Sequence, residues 1–196
     1  MTMADEQGTG QASGEGLSPL RGLVIRARRP ADAEAIADLV NLPGVRFGTM
    51  RLPFHSPQDV AGWIEKSPST NLDLVAMKGD LLIGQAGLYR FTGRQSHVAG
   101  LGMCVHDAWT GRGVGAALLE ALLDAADNWL GIRRLQLTVY TDNGPAIGLY
   151  TRCGFEVEGT HRAYALRDGR YVDAHTMARL GGPDPLAAGG ERRDRL

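Results

Sequence analysis

Met103-Cys104-Val105-His106-Asp107-Ala108-Trp109-Thr110-Gly111-Arg112-Gly113-Val114-Gly115-Ala116 reads as the end of a strand, a glycine-dense loop and the start of a helix. Gly111, Gly113 and Gly115 strip the loop of side chains, so backbone N–H groups can come close to an anion. The helix that follows directs its positive N-terminal end at the same point. Such an arrangement binds phosphate or pyrophosphate, and the fold follows from what lies on either side of it.

Upstream, 23–27 reads as a strand, and Arg29-Pro30-Ala31-Asp32 opens a helix carrying Ile36, Leu39 and Val40 on one face. Residues 42–55 read as a loop. Ser56-Pro57 with Asp59 starts a second short helix. Strands are expected at 72–77 and 81–88, around the turn Lys78-Gly79-Asp80, and at 95–105. Downstream, Val114, Leu118, Leu122, Ala126 and Trp129 recur at helical spacing and mark one buried stripe. Leu135, Leu137 and Val139 alternate as in a strand. Asn143-Gly144-Pro145 caps a helix ending near Cys153-Gly154, and two strands follow at 155–166 and 171–180. Asp168-Gly169 joins them as a two-residue hairpin. The expected fold is a mixed α/β domain: a central, largely antiparallel sheet of about seven strands with four helices packed on it. The folded unit spans 22–180. Residues 1–21 and 181–196 lack large apolar clusters and read as a disordered N-terminal tail and a flexible C-terminal tail.

The composition narrows the function. With 21 basic and 22 acidic residues in 196, and no basic stripe, a nucleic-acid partner is not expected. No apolar run approaches the ~20 residues needed to cross a bilayer, and the N-terminus has no secretory pattern. Cys104 and Cys153 form no metal-ligand spacing, so no metal is expected, and a reducing cytoplasm is the simplest setting.

Gly111-x-Gly113-x-x-Ala116 also matches a dinucleotide fingerprint, but it follows the fourth strand rather than the first, and no acid is placed for a ribose. A P-loop is excluded because no Gly-Lys-Ser/Thr follows. The strand order and residues 105–118 instead resemble the Gcn5-related N-acetyltransferase (GNAT) family. Its cofactor motif has Arg or Gln, two residues, Gly, one residue, then Gly or Ala. Gly113 and Gly115 fill the small positions, while Thr110 departs from the usual Arg or Gln. Asn143-x-x-Ala146-x-x-x-Tyr150 with Gly154-Phe155 is similar to the family's second cofactor segment. Further stretches, including Tyr164-Ala165-Leu166-Arg167-x-Gly169-x-Tyr171-Val172-Asp173-Ala174, resemble a bacterial branch described as L-amino-acid N-acetyltransferases.

That resemblance implies acetyl transfer from acetyl-CoA to the primary amine of a small molecule, by direct attack in a ternary complex. A free L-amino acid is the leading acceptor. A phosphinothricin-like compound, a polyamine, an aminoglycoside or a protein N-terminus are alternatives, as is a non-catalytic acyl-CoA sensor. Relatives imply a homodimer. Met103, Cys104 and Val105 would bind the pantetheine arm through their backbone. Gly111, Arg112, Gly113, Val114, Gly115 and Ala116 would hold the pyrophosphate, and Asn143 and Ala146 would complete the cofactor contacts. Tyr150 would protonate the departing thiolate, as a tyrosine stays protonated at neutral pH. Relatives carry a carboxylate base where this chain has Gly100, so His97 is the candidate base, with water alone as the other option. Cys104 reads as a small apolar filler rather than a nucleophile. The acceptor wall is expected from Phe47, Met50, Leu52, Phe54 and His55, facing Tyr164, Tyr171 and His175. Arg46, Arg51 or Arg162 would meet an acceptor carboxylate.

Overall fold

The computed structural model describes residues 20–181, so the expected tails lie almost wholly outside the described residues. Seven strands are present among them: β1 (Leu23–Ala27), β2 (Leu72–Lys78), β3 (Leu81–Arg90), β4 (Val98–Val105), β5 (Arg134–Tyr140), β6 (Glu156–Arg167) and β7 (Arg170–Leu180). They form one sheet in the order β1-β2-β3-β4-β5-β7-β6, antiparallel throughout except for the parallel pair β4 and β5. The helices are α1 (Ala33–Val40), α2 (Pro43–Gly48), α3 (Pro57–Lys66), α4 (Val114–Asp124) and α5 (Gly144–Arg152). No helix among the described residues is long and apolar enough to cross a membrane.

Local chemistry sets these boundaries. Ser56 Oγ accepts from Asp59 N at 3.1 Å while the Asp59 carboxylate accepts from Ser56 N at 2.8 Å, a reciprocal cap that starts α3. Asp168 and Gly169 both take left-handed φ, 50° and 73°, as a tight two-residue hairpin requires. The Arg26 guanidinium grips Asp32 through two bonds of 2.7 and 2.8 Å, and Arg29 N adds a third at 2.7 Å. These bonds hold the Asp32 carboxyl below its ordinary pKa and tie the start of α1 to β1.

Three expectations require correction. The segment read as loop at 42–55 contains α2, because Pro43 at its first position fixes a helical φ. The strand expected from 95 begins at Val98, since Gly93–Gln95 forms a 3₁₀ turn with Gly93 at φ 63°. Trp129, placed on the buried stripe of α4, is 80% exposed. Residues Ala125–Trp129 wind as a π-helix, with Leu130 N bonding Ala125 O at 2.9 Å, and the wider turn rotates Trp129 off the stripe.

Alternation along the strands builds two cores, one on each face of the sheet. Leu118, Leu119 and Leu122 of α4 pack with Ile83, Leu88, Leu101, Leu135 and Phe155 on one face. Ile36, Leu39, Val40 and Val60 from α1 and α3 pack with Val75 and Leu82 on the other. The parallel pair then fixes the site. β4 and β5 are in register only from Val98 to Gly100, opposite Arg134 to Gln136. Past Gly100 the two strands diverge, and the sheet opens into a wedge.

Candidate active site

The wedge leads into a cavity of about 1000 Å³, lined by the end of β4, the glycine loop, α5 and the α2 segment. Gly113 caps α4 in the left-handed conformation, φ 86°. The first bond of α4 runs from Ala117 N to Gly113 O at 3.0 Å. The N–H groups of Val114, Gly115 and Ala116 are therefore left unspent by the helix, at its positive end. A Cβ on Gly115 would meet Leu149, Met103 and Val105 at 3.4–3.6 Å, so glycine lets α4, α5 and β4 converge there. Thr110, the departure from the motif, donates its hydroxyl to Asp107 O at 2.9 Å and closes the preceding turn. His106 Nδ1 accepts from Ala108 N at 3.1 Å and orders the same loop. The residues fit a phosphate-bearing ligand on an extended arm.

Ten of the residues expected to bind cofactor line this cavity: Met103, Cys104, Val105, Gly111, Gly113, Gly115, Ala116, Asn143, Ala146 and Tyr150. Asn143 Oδ1 also accepts from Ala146 N at 3.3 Å and caps α5. Two expected residues do not line it. Arg112 lies with its guanidinium 5.3 Å from the Trp109 ring centroid. Val114 is 1% exposed in the α4 core, so only its backbone can serve the cradle.

Tyr150 sits on α5, 7% exposed, with its ring 5.7 Å from that of Phe155. Its hydroxyl has no hydrogen-bond partner among the described residues, and the residue lines the cavity. Burial pushes its pKa up to about 12, with the nearby Cys104 adding to the effect. Its hydroxyl stays protonated at neutral pH. Burial likewise pushes the Cys104 thiol up, and Gln85 Nε2 donates to its sulfur at 3.7 Å, so Cys104 is a neutral thiol.

His97 is not brought into the site. It is exposed just before β4, at the end where β4 and β5 remain paired, and its carbonyl accepts from Arg133 N and Arg134 N. The cavity lies at the far end of that strand, so the side chain of His97 is not placed for proton transfer there.

The acceptor wall also differs from expectation. Phe47 and Met50 line the cavity, whereas Leu52 and Phe54 are 74% and 87% exposed and do not. Tyr164, Tyr171 and His175 are not in its lining, and His175 Nδ1 meets Thr160 Oγ1 at 2.8 Å instead. The hairpin's contribution is Arg167, which sequence reading missed. Its guanidinium lies 3.9 Å from the Phe47 ring centroid and 4.7 Å from that of Tyr140, and it pairs with both oxygens of Asp142. With Gly44 N donating to Asp107 Oδ2 at 2.8 Å, this latch fastens α2 across the cavity mouth. Of Arg46, Arg51 and Arg162, only Arg51 lines the cavity, its guanidinium 4.9 Å from the Trp63 ring centroid.

Comparison with known proteins agrees with this geometry. A model of the acetyltransferase (GNAT) family matches residues 38–155, which include the whole cradle and Tyr150. The chain is 39% identical to L-amino acid N-acetyltransferase AaaT of Escherichia coli (strain K12) over 158 residues, covering 81% of this chain and 98% of that one. It is 39% identical to N-alpha-acetyltransferase RimI of Mycobacterium tuberculosis over 116 residues, covering 56% of this chain and 66% of that one. A GNAT acetyltransferase structure from Streptococcus pneumoniae superposes with a TM-score of 0.72 at 26% identity, covering 82% of this chain and 99% of that one. The splayed sheet, the glycine cradle and the matched sequence agree, and the chain belongs to the GNAT acetyltransferase family as an N-acetyltransferase.

Proposed function

We propose that this enzyme acetylates the primary amine of a small acceptor carrying a carboxylate, a free L-amino acid foremost, with acetyl-CoA as donor. The observation that carries the reading is Arg51, a cavity-lining arginine with no carboxylate partner among the described residues. Arginine presents a planar fork that matches a carboxylate, and stacking on Trp63 holds that fork in place. The cavity lining holds four arginines, Arg28, Arg51, Arg152 and Arg167, against two carboxylates, Asp73 and Asp142. The lining is thus net positive, which suits an acceptor with one amine and one carboxylate better than a polyamine. The similarity to an L-amino acid N-acetyltransferase supports the same class.

When bound, acetyl-CoA supplies an acyl group activated as a thioester. The unspent N–H groups at the start of α4 hold its pyrophosphate, and the free edge of β4 hydrogen-bonds the amides of its arm. The Tyr150 hydroxyl donates its proton toward the departing sulfur. Acceptor and donor meet in one ternary complex, since Cys104 is too poor a nucleophile to carry the acetyl group between them.

The test is acetyl-CoA-dependent release of CoA thiol with common L-amino acids, polyamines, an aminoglycoside, phosphinothricin and a peptide N-terminus. Turnover with amino acids and not with their amides is the expected result. A signal confined to peptides would favour the class named by the Mycobacterium tuberculosis relative. Tight acetyl-CoA binding with no turnover on any member would make the protein an acyl-CoA sensor. Arg51→Met is expected to raise the acceptor KM by about 10- to 100-fold, as loss of a charge-assisted bond costs ~1.5–3 kcal/mol. kcat should change little, and steady-state kinetics check the split.

A further inference from the structure

Gly100 leaves β4 without a side chain where an acid would serve, yet a carboxylate reaches the same face of the sheet from two strands away. Cross-strand partners share a face, and Asp73 of β2 is in register with Gly87 of β3, which is in register with Gly102 of β4. Both intervening positions are glycine. A Cβ on Gly87 would lie 2.7 Å from Asp73 Oδ1, so the carboxylate occupies the space that a side chain there would fill. At Gly102 the neighbouring space belongs to Tyr89, whose hydroxyl lies 3.4 Å from the position of a Cβ. Asp73, Gly87, Gly102, Tyr89 and Cys104 all line the cavity, and this floor continues to Tyr150.

The carboxylate is also aimed. Oδ2 accepts from Arg28 at 2.7 Å and from Ser67 Oγ at 3.0 Å. Oδ1 has no hydrogen-bond partner among the described residues. The other cavity carboxylate, Asp142, has both oxygens engaged by Arg167. Asp73 Oδ1 is thus the uncommitted carboxylate oxygen of the cavity.

We infer that Asp73 receives the acceptor's ammonium group and takes its first proton, directly or through one water. The inference rests on the amine-acceptor reading above. An N–H bond of the ammonium breaks and its proton passes to Oδ1. The freed lone pair forms the N–C bond to the acetyl group. The C–S bond breaks, its electron pair stays on sulfur, and sulfur takes the proton of Tyr150. The second proton lost by nitrogen restores Tyr150, and Asp73 returns its own to solvent.

The experiment is the pH dependence of kcat/KM for an amine that the wild type acetylates, compared with Asp73→Asn and Gly87→Ala. Wild-type turnover tests the acceptor reading separately from this comparison. Asp73→Asn is expected to lose about 100-fold near pH 7. It should then regain rate steadily with rising pH up to the pKa of the amine itself, because only the free base can attack. Gly87→Ala keeps the Arg28 pair and displaces Oδ1, and should lose acceptor kcat/KM in the same sense. Calorimetry should give unchanged acetyl-CoA affinity and, on CoA-loaded protein, acceptor affinity weakened about tenfold in Asp73→Asn. An Asp73→Asn profile that keeps the wild-type shape, whether unchanged or uniformly lowered, overturns the assignment.

Discussion

Tyr150→Phe is expected to lower kcat by about 10²- to 10⁴-fold, the range for loss of a positioned general acid, and to leave acetyl-CoA affinity within about twofold. Phenylalanine keeps the ring against Phe155 and the packing of α5, so the loss falls on proton donation rather than on the fold. Single-turnover kinetics with a series of thioesters sharpen the test. A leaving thiol of lower pKa needs less help, so the defect should shrink along the series. A variant with unchanged kcat would falsify the role. A second readout needs no substrate. The tyrosine's pKa is about 12 in the folded protein and about 10 unfolded. A raised pKa means that the folded state holds the proton more tightly. Tyr150 therefore contributes its full stability below pH ~10 and loses that contribution as pH rises through ~12. Chemical denaturation across that window should show a fall in the wild type that is smaller in Tyr150→Phe.

Gly113→Val should have the second-largest effect, a rise in the acetyl-CoA Kd of about 100-fold, equivalent to ~2.7 kcal/mol. A β-branched residue is strained at φ 86°. The loop can relieve that strain only by changing φ at 113, which re-aims the 112–113 peptide against the start of α4 and shifts the junction on which the three cradle N–H groups sit. The Leu20 side chain, 3.4 Å from a Cβ at 113, crowds the same spot. Gly79→Val is the control. Gly79 also has positive φ, 58°, with open space around its Cβ position, but it lies in the turn between β2 and β3. Both variants should melt several degrees lower, as ~1–2 kcal/mol of strain implies for a chain of this size. Only Gly113→Val should weaken binding in calorimetry. Equal affinity in the two variants would mean that the cradle tolerates the turn.

What the sequence made legible was carried by local signals. The glycine loop, the Asn143 cap and the Asp168-Gly169 hairpin each depend on residues within four positions of one another, where spacing fixes geometry. Proximity between strands is different. His97 and Gly100 are close in sequence, but the parallel pairing ends at Gly100, so their strand carries one to a closed end and the other toward the cavity. Asp73 is 29 residues from Gly102 and reaches its face only through a register that no local pattern encodes. Arg167 meets Phe47 across 120 positions by the same kind of closure. The exposed Trp129 reflects a π-helical turn, for which the helical stripe carried no marker.

The early parting of β4 and β5 also makes the enzyme a reader of backbone. Along 101–105 the amides of β4 face a gap that β5 does not fill, and they can be satisfied by anything that spaces donors and acceptors as a strand does. With the donor proposed above, discrimination between donors would rest on the carrier rather than on the acyl group. A thioester on a long arm with peptide-like amides would be recognised along its length, whereas a short thioester of equal reactivity would offer nothing to read.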